Sequence, residues 1–362
     1  MRIAYVINSV EGGGAQSPVP AIASVLQSEG AEVAVFALTR RDGRGAIAMQ
    51  AAGLDVRICP ASEKQQVAGL RWLHAELKAW KPDVVWTSLT RATLMGQIVG
   101  GWLGKPVVSW QHAAFLKPAN RALLRLRRSA SALWIGDSES VTTLTAERIA
   151  PAPDRLVCWP IFSMNRQAPR AMPWRPGQTL RLGALGRLHP VKGYDVLLEA
   201  LARLKIQGFA PPAPFEVLIA GDGAELERLE GQKTAAGLDN VRFVGFCQDP
   251  PRFLADLHLY LQPSRSEGLC VAAHEAMQAG LPVLASAVGE LPYSIAAGET
   301  GFLTPPGDAA ALASALVEAL SAPSRLAGMG QAARARVEAR FGPDQFAAHG
   351  AAIMQRLRSV AA

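Results

Sequence analysis

The chain has 362 residues, 49% hydrophobic and 19% charged, with 37 Lys+Arg against 30 Asp+Glu for a net charge of +7. That length and apolar content suit two packed domains and exclude a disordered or fibrous chain. The four cysteines, Cys59, Cys158, Cys247 and Cys270, form no C-x-x-C pair. Neither a disulfide framework nor a zinc site is therefore signalled, and a reducing, cytoplasmic setting is the expectation.

Short apolar strands at 2–8, 32–39, 55–59, 84–88, 106–110 and 132–136 alternate with helical patterns such as 17–29, 67–80 and 119–128. Buried strands separated by helices imply βαβ units and a parallel sheet. The opening apolar run is too short for a signal peptide. The most apolar stretch, 94–103, is broken by Gln97 and glycines, so no membrane span is expected.

Between the first strand and helix lie Gly12, Gly13 and Gly14, and Ser17-Pro18 then reads as an N-cap and first helical residue. Glycines there let backbone N–H groups approach a phosphate or sugar; a tight turn without ligand is the other reading. Only two of the three glycines of a dinucleotide fingerprint are in place, which weighs against an NAD-dependent oxidoreductase, and there is no P-loop Lys.

Charge is uneven. Residues 1–170 carry 20 Lys+Arg against 12 Asp+Glu, and the remainder 17 against 18. Part of the excess is the run Lys117, Arg121, Arg125, Arg127 and Arg128, among Leu123, Leu124 and Leu126. No nucleic-acid-binding signature accompanies it. It is either a solvated helix face or a contact with an anionic membrane surface or phosphorylated acceptor.

Residues 160–178 hold four prolines and no periodicity. The domain expectation is a first domain at 1–160, a linker at 161–178, a second domain at 179–342 and a C-terminal helix at 343–362. Second-series strands are expected at 180–185, 215–220, 241–246, 258–262, 282–286 and 301–304. Helices are expected at 194–205, 224–236 and 271–279, with a helical tail.

Two loops of this second series carry chemistry. Gly186-Arg187-Leu188-His189-Pro190-Val191-Lys192-Gly193 puts two cations five residues apart after a strand, suited to a diphosphate; surface cations are the other reading. In Ser266-Glu267-Gly268-Leu269-Cys270-Val271-Ala272-Ala273-His274-Glu275 two carboxylates are eight residues apart, about 12 Å if the interval is mostly helical. A two-carboxylate glycosidase needs about 5–9.5 Å. The spacing suits a grip on both ends of an extended nucleotide-sugar, with the amides of Gly268, Leu269, Cys270 and Val271 holding phosphates between. Cys270 reads as a packing residue, His189 as a loop residue, and His274 is assigned no role.

The Arg-x4-Lys-Gly loop, Ala220-Gly221-Asp222-Gly223, Val244-Gly245-Phe246 and the Glu-x7-Glu block occur in that order. Together they resemble the retaining glycosyltransferases of family 4, most strongly over 180–305. Gly13-Gly14-Ala15-Gln16 resembles the family's N-terminal glycine loop. The resemblance implies an α/β GT-B fold, two Rossmann-like parallel-sheet domains facing each other across a cleft; the two-domain pattern and proline-rich linker predict that the cleft closes by rotation about 160–178. It also implies that the C-terminal helix packs back on the first domain.

The implied activity is sugar transfer, with retention, from a nucleotide-sugar donor to a glycan or lipid-linked acceptor. Its implied setting is cell-surface polysaccharide or glycolipid biosynthesis, in the cytoplasm or peripherally on the cytoplasmic face of the membrane. No metal or other cofactor is implied. By resemblance, Arg187 and Lys192 bind the diphosphate, Glu267 the sugar hydroxyls and Glu275 the ribose hydroxyls, and the backbone at Phe246 and Cys247 meets the base. His112, after Ser109-Trp110-Gln111, is implied on the acceptor or sugar side; a core or loop histidine is the other reading. The chain departs from the pattern at Ser17-Pro18-Val19-Pro20 and at Cys270. A same-fold epimerase, an inverting transferase and a non-catalytic nucleotide-sugar-binding subunit remain as alternatives.

Overall fold

Seven strands fall in the first part of the chain: β1 (Arg2–Ile7), β2 (Glu32–Ala37), β3 (Asp55–Ile58), β4 (Val84–Ser88), β5 (Val107–Gln111), β6 (Leu133–Gly136) and β7 (Leu156–Cys158). The computed structural model, which describes residues 1–112 and 115–361, pairs them all parallel in the order β3-β2-β1-β4-β5-β6-β7. Ile3 to Ile7 are all fully buried, as a central parallel strand covered on both faces must be.

Side chains alternate between those faces. On one, Val6 and Val85 pack with Leu73 and Leu77 of the helix Gln66–Trp80 and Val99 of the helix Thr90–Trp102. On the other lie large rings. Trp110 and Trp159 stack at 4.9 Å, and Trp86 meets them edge-on at 5.8 and 6.1 Å.

The helix Pro343–Ala361 closes this second face; Ala362 lies outside the described residues. Phe346 is 5.2 Å from Trp159, and a Cβ at Gly350 would come within 2.4 Å of Val25 and 2.8 Å of Trp159. This helix therefore belongs with the first sheet, in a compact unit of Met1–Ser163 and Pro343–Ala362.

The second unit, Met164–Gly342, is built on β8 (Leu180–Leu185), β9 (Phe215–Ala220), β10 (Val241–Gly245), β11 (Leu259–Gln262), β12 (Val283–Ser286) and β13 (Gly301–Thr304). These are also all parallel, in the order β10-β9-β8-β11-β12-β13. Leu182, Val217 and Leu261 pack with Leu197 and Leu201 of the helix Tyr194–Ile206 and Leu316 of the helix Ala309–Ser321.

Some local expectations differ from the structure. β7 escapes a hydrophobicity pattern because it has three residues, each half-buried at the sheet edge. Within 161–178, residues from 164 onward belong to the second unit. The Met164 amide donates to Phe341 O (2.8 Å), Asn165 to Gln278 Oε1 (2.6 Å) and Ala171 to Ala279 O (2.8 Å), so this proline-rich stretch is a bound strap.

Ser17 caps nothing: the Gly13 carbonyl already takes the Gln16 and Ser17 amides, and the helix starts at Val19 behind Pro18. The basic helix is Pro118–Leu126, and a short 3-10 turn, Arg128–Ala130, follows it. Cys59, Cys247 and Cys270 are free thiols, and among the described residues no helix is long and apolar enough to cross a membrane.

Candidate functional site

In each sheet the strand order reverses beside its first strand, between β1 and β4 and between β8 and β11. Crevices at the carboxyl ends of strands form at such points. Around the β8–β11 reversal, the loops 186–193 and 263–270 carry the charged residues.

Gly193 lets these loops touch. Its φ is +67°, and a Cβ there would lie 2.0 Å from the Pro263 carbonyl oxygen. Arg265 pins them: its amide donates to Val191 O (2.8 Å), and its guanidinium donates to Pro190 O (2.7 Å) and to both Asp195 oxygens (2.7 and 2.8 Å). The Arg265 guanidinium holds the Asp195 carboxyl below its ordinary range.

The result is a buried polar network. Lys192 Nζ lies 2.7 Å from Glu267 Oε1, which also accepts from Ser264 Oγ (2.6 Å) and Gln262 Nε2 (3.0 Å). Tyr260 in turn donates to Gln262 Oε1 (2.9 Å). Among the described residues Glu267 Oε2 has no hydrogen-bond partner, so it is free to accept from a ligand hydroxyl. Burial works to lower the Lys192 pKa, but the charge and hydrogen bond of Glu267 outweigh it and the net shift is upward. Arg187 is exposed and outside this network, yet close enough for its charge to oppose the Lys192 proton.

Glu275 stands on the helix Val271–Gln278, without a hydrogen-bond or ion-pair partner among the described residues. Burial pushes its carboxyl up to about 7. The helix opens at Cys270, held at φ 66° in the left-handed region that side chains disfavour. Among the described residues the amides of Gly268, Leu269, Cys270, Val271 and Ala272 have no acceptor, which is the arrangement that binds anions. Burial, then the Glu267 charge, pushes the Cys270 thiol far up, which opposes formation of the thiolate.

Behind this loop sits His274, fully buried. Its Nδ1 is 2.9 Å from Cys270 O and its Nε2 is 2.7 Å from Ser294 Oγ. Arg340 ties Ser294 Oγ (3.0 Å) to Glu290 (2.7 Å), and the Glu290 amide donates to Gly268 O (3.0 Å). Burial pulls His274 down to about 4, so the ring is neutral and acts as a fixed strut. At the end of β10, the Val244 and Phe246 side chains are exposed, and burial raises the neighbouring Cys247 thiol. His189 accepts the Val191 amide at 3.2 Å, within its own loop.

In the first unit, Gly13 and Gly14 lie exposed in the loop after β1. None of the glycines at 12–14 has a positive φ, and a Cβ at Gly13 would meet only the Gln16 amide oxygen, at 3.1 Å. The fold places little demand for glycine here. His112 follows β5 with its ring almost buried, Nε2 2.6 Å from Ser88 Oγ and Nδ1 3.4 Å from Asp137 Oδ2. Both ring nitrogens thus face groups inside the unit.

The basic run divides. Lys117, Arg121, Arg125 and Arg128 are exposed, but Arg127 turns inward. Its Nε donates to Gln97 Oε1 (3.2 Å), and Gln97 continues through Ser131 and Ser109 to Thr87, so Arg127 is not part of an outward face.

Sequence reasoning missed Gln262, Ser264, Tyr260, Arg265 and Asp195. A polar Gln262 ending an otherwise apolar buried strand was the available signal for the first of these. The Arg265–Asp195 pair spans 70 positions between two loops, and no periodicity reports such a contact.

Residues 173–336 match the family model described as glycosyl transferases group 1. The D-inositol 3-phosphate glycosyltransferase of Streptomyces scabiei is 40% identical over 193 residues, covering 51% of this chain and 43% of that protein, so the chain spans less than half the length of that relative. The 2-deoxystreptamine N-acetyl-D-glucosaminyltransferase of Streptomyces fradiae is 30% identical over 311 residues, covering 74% of this chain and 73% of its own. Among solved structures, Anabaena Alr3699/HepE in complex with UDP-glucose aligns with a TM-score of 0.83 at 21% identity, over 98% of this chain and 100% of that one. The architecture is thus the GT-B fold, and the chain belongs to the glycosyl transferases group 1 family.

Proposed function

We propose that this chain is a retaining, metal-independent glycosyltransferase of family 4. It moves a sugar from a nucleotide donor to a glycan or lipid-linked acceptor in cell-surface polysaccharide or glycolipid biosynthesis. The Lys192–Glu267 network at the reversal of the second sheet carries this reading. Lys192 and the free Arg187 bind the diphosphate and stabilise its charge as it departs. Glu267, held through Oε1, accepts a sugar hydroxyl at Oε2, and Glu275 accepts the ribose hydroxyls. The amides of Gly268, Leu269, Cys270 and Val271 cradle the phosphates, while the segment at Phe246 and Cys247 meets the base. In the first unit, Gly13 and Gly14 are assigned to ligand binding and His112, held by Ser88 and Asp137, to the sugar or acceptor side.

In the reaction the bond from C1 to the diphosphate oxygen breaks and a bond from C1 to the acceptor oxygen forms on the same face. The acceptor proton leaves to a diphosphate oxygen. The UDP-glucose bound to Alr3699/HepE makes UDP-sugars the first donors to try. The first unit carries 20 Lys+Arg against 13 Asp+Glu and the second 17 against 17, which favours an anionic acceptor and a peripheral position on the cytoplasmic face of a membrane.

Calorimetric titration with UDP-, GDP-, ADP- and dTDP-sugars, with and without EDTA, tests the reading. One nucleotide class should bind in EDTA and lose at least tenfold in affinity in Lys192→Ala. Binding of none of the four, or binding indifferent to Lys192, would refute it.

A further inference from the structure

An open groove of about 440 Å³ lies in the first unit between the helices Gln66–Trp80 and Thr90–Trp102. Positions 91, 94, 95 and 98 share one face of the second helix, and that face runs on to Trp102, about 16 Å from residue 91 at 1.5 Å per residue. The walls are apolar: Val67 and Leu70 from one helix, Leu94, Met95 and Ile98 from the other. Val67 in the groove is 64% exposed, and beyond the lining Trp102 is 60% exposed with its ring 5.5 Å from His74.

The groove has a polar end. Arg91 donates through Nε to Gln66 Oε1 (3.1 Å) and through Nη1 to Thr39 Oγ1 (2.9 Å). Its Nη2 is buried with no partner among the described residues. A buried donor on a charged group is costly unless an acceptor arrives. Gly69 keeps the space open, since a Cβ there would come 3.3 Å from that Nη2. Arg91 lies just past the carboxyl end of β4, three residues from the Ser88 that holds His112. Asn120, from the helix whose Arg121 and Arg125 are exposed, completes the lining.

We propose that this groove takes the hydrocarbon chain of a lipid-linked acceptor, its anionic head drawn to Arg91 at the end nearest His112. This rests on the reading as a transferase with a lipid-linked acceptor. The one-sided distribution of apolar and cationic groups matches an amphiphile with a single charged end, and the net positive unit around it matches the sign of that charge.

Calorimetry of the full chain with dodecyl phosphate below its micelle concentration tests this. Binding should weaken at least tenfold in Val67→Asp and in Ile98→Trp, which fills the groove without charging it. It should also weaken in Arg91→Gln, and with dodecyl maltoside, which lacks the charge. Equal affinity for inorganic phosphate, or unchanged binding in both groove variants, would overturn the groove. UDP titrated into the same preparations reads the second unit. Lost UDP binding with intact dodecyl phosphate binding refutes the donor reading alone, and the reverse refutes the groove alone.

Discussion

Lys192 neutralises Glu267 in the free protein and, under the proposed function, also supplies the cation that meets the donor diphosphate. Lys192→Ala should therefore lower turnover by roughly 100-fold or more, the scale of losing one preorganised charge-stabilising group. It should also cost roughly 2 kcal/mol of stability, below the value for a fully buried pair because the Lys192 side chain is 21% exposed. Steady-state kinetics and thermal melting check both.

Glu275 makes a prediction of the opposite kind, because its carboxyl stands unpartnered and is pushed up to about 7 from an ordinary 4.5. Between those values the folded chain keeps a proton that the unfolded chain releases, so this group's contribution to stability falls as pH rises from 4.5 to about 7. Under the proposed function Glu275 accepts from ribose hydroxyls, and the carboxylate is the stronger acceptor. Nucleotide affinity should therefore rise with pH through about 7, and Glu275→Gln should flatten that rise in calorimetric titrations.

At the scale of elements, residues alike in sequence separate by what lies beneath them. Arg125 and Arg127 look equivalent in a basic run, yet Arg125 is exposed and Arg127 completes a buried chain from Gln97 to Thr87. Arg127→Gln should cost about 1–2 kcal/mol in denaturant melts, as loss of a charged hydrogen bond does. Arg121→Gln and Arg125→Gln should stay within about 0.5 kcal/mol while weakening sedimentation with anionic vesicles.

The long buried strands and the loops after β8 and β11 were legible, because apolar runs and glycine-punctuated charges are local signals. The short edge strand β7, the binding of 164–178 to the second unit and the role of His274 were not. Each depends on partners far away in the chain: Phe341 for the strap, Ser294 and Cys270 for the histidine. The Glu-x7-Glu spacing named both carboxylates, but nothing in the spacing says that one is triply bonded through Oε1 and the other bare.

At the scale of the whole molecule, the chain returns to its first unit after completing its second. The helix Pro343–Ala361 covers Trp159 and packs against the helix Val19–Ser28, and Arg358 pairs with Glu29 at 3.1 Å. Stopping the chain at Gly342 uncovers that aromatic layer. Circular dichroism melts should then show a destabilised first unit, while nucleotide binding, which the proposed function assigns to residues 187–275, should persist.

The proposed reaction is transfer with retention from a nucleotide-sugar held at Lys192 and Glu267. Proton NMR of the anomeric signal during the first turnovers of an α-linked UDP-sugar tests it most directly. The wild-type chain should give an α product, and Lys192→Ala should reduce the rate at least 100-fold. A β product, or turnover undiminished in that variant, would contradict it.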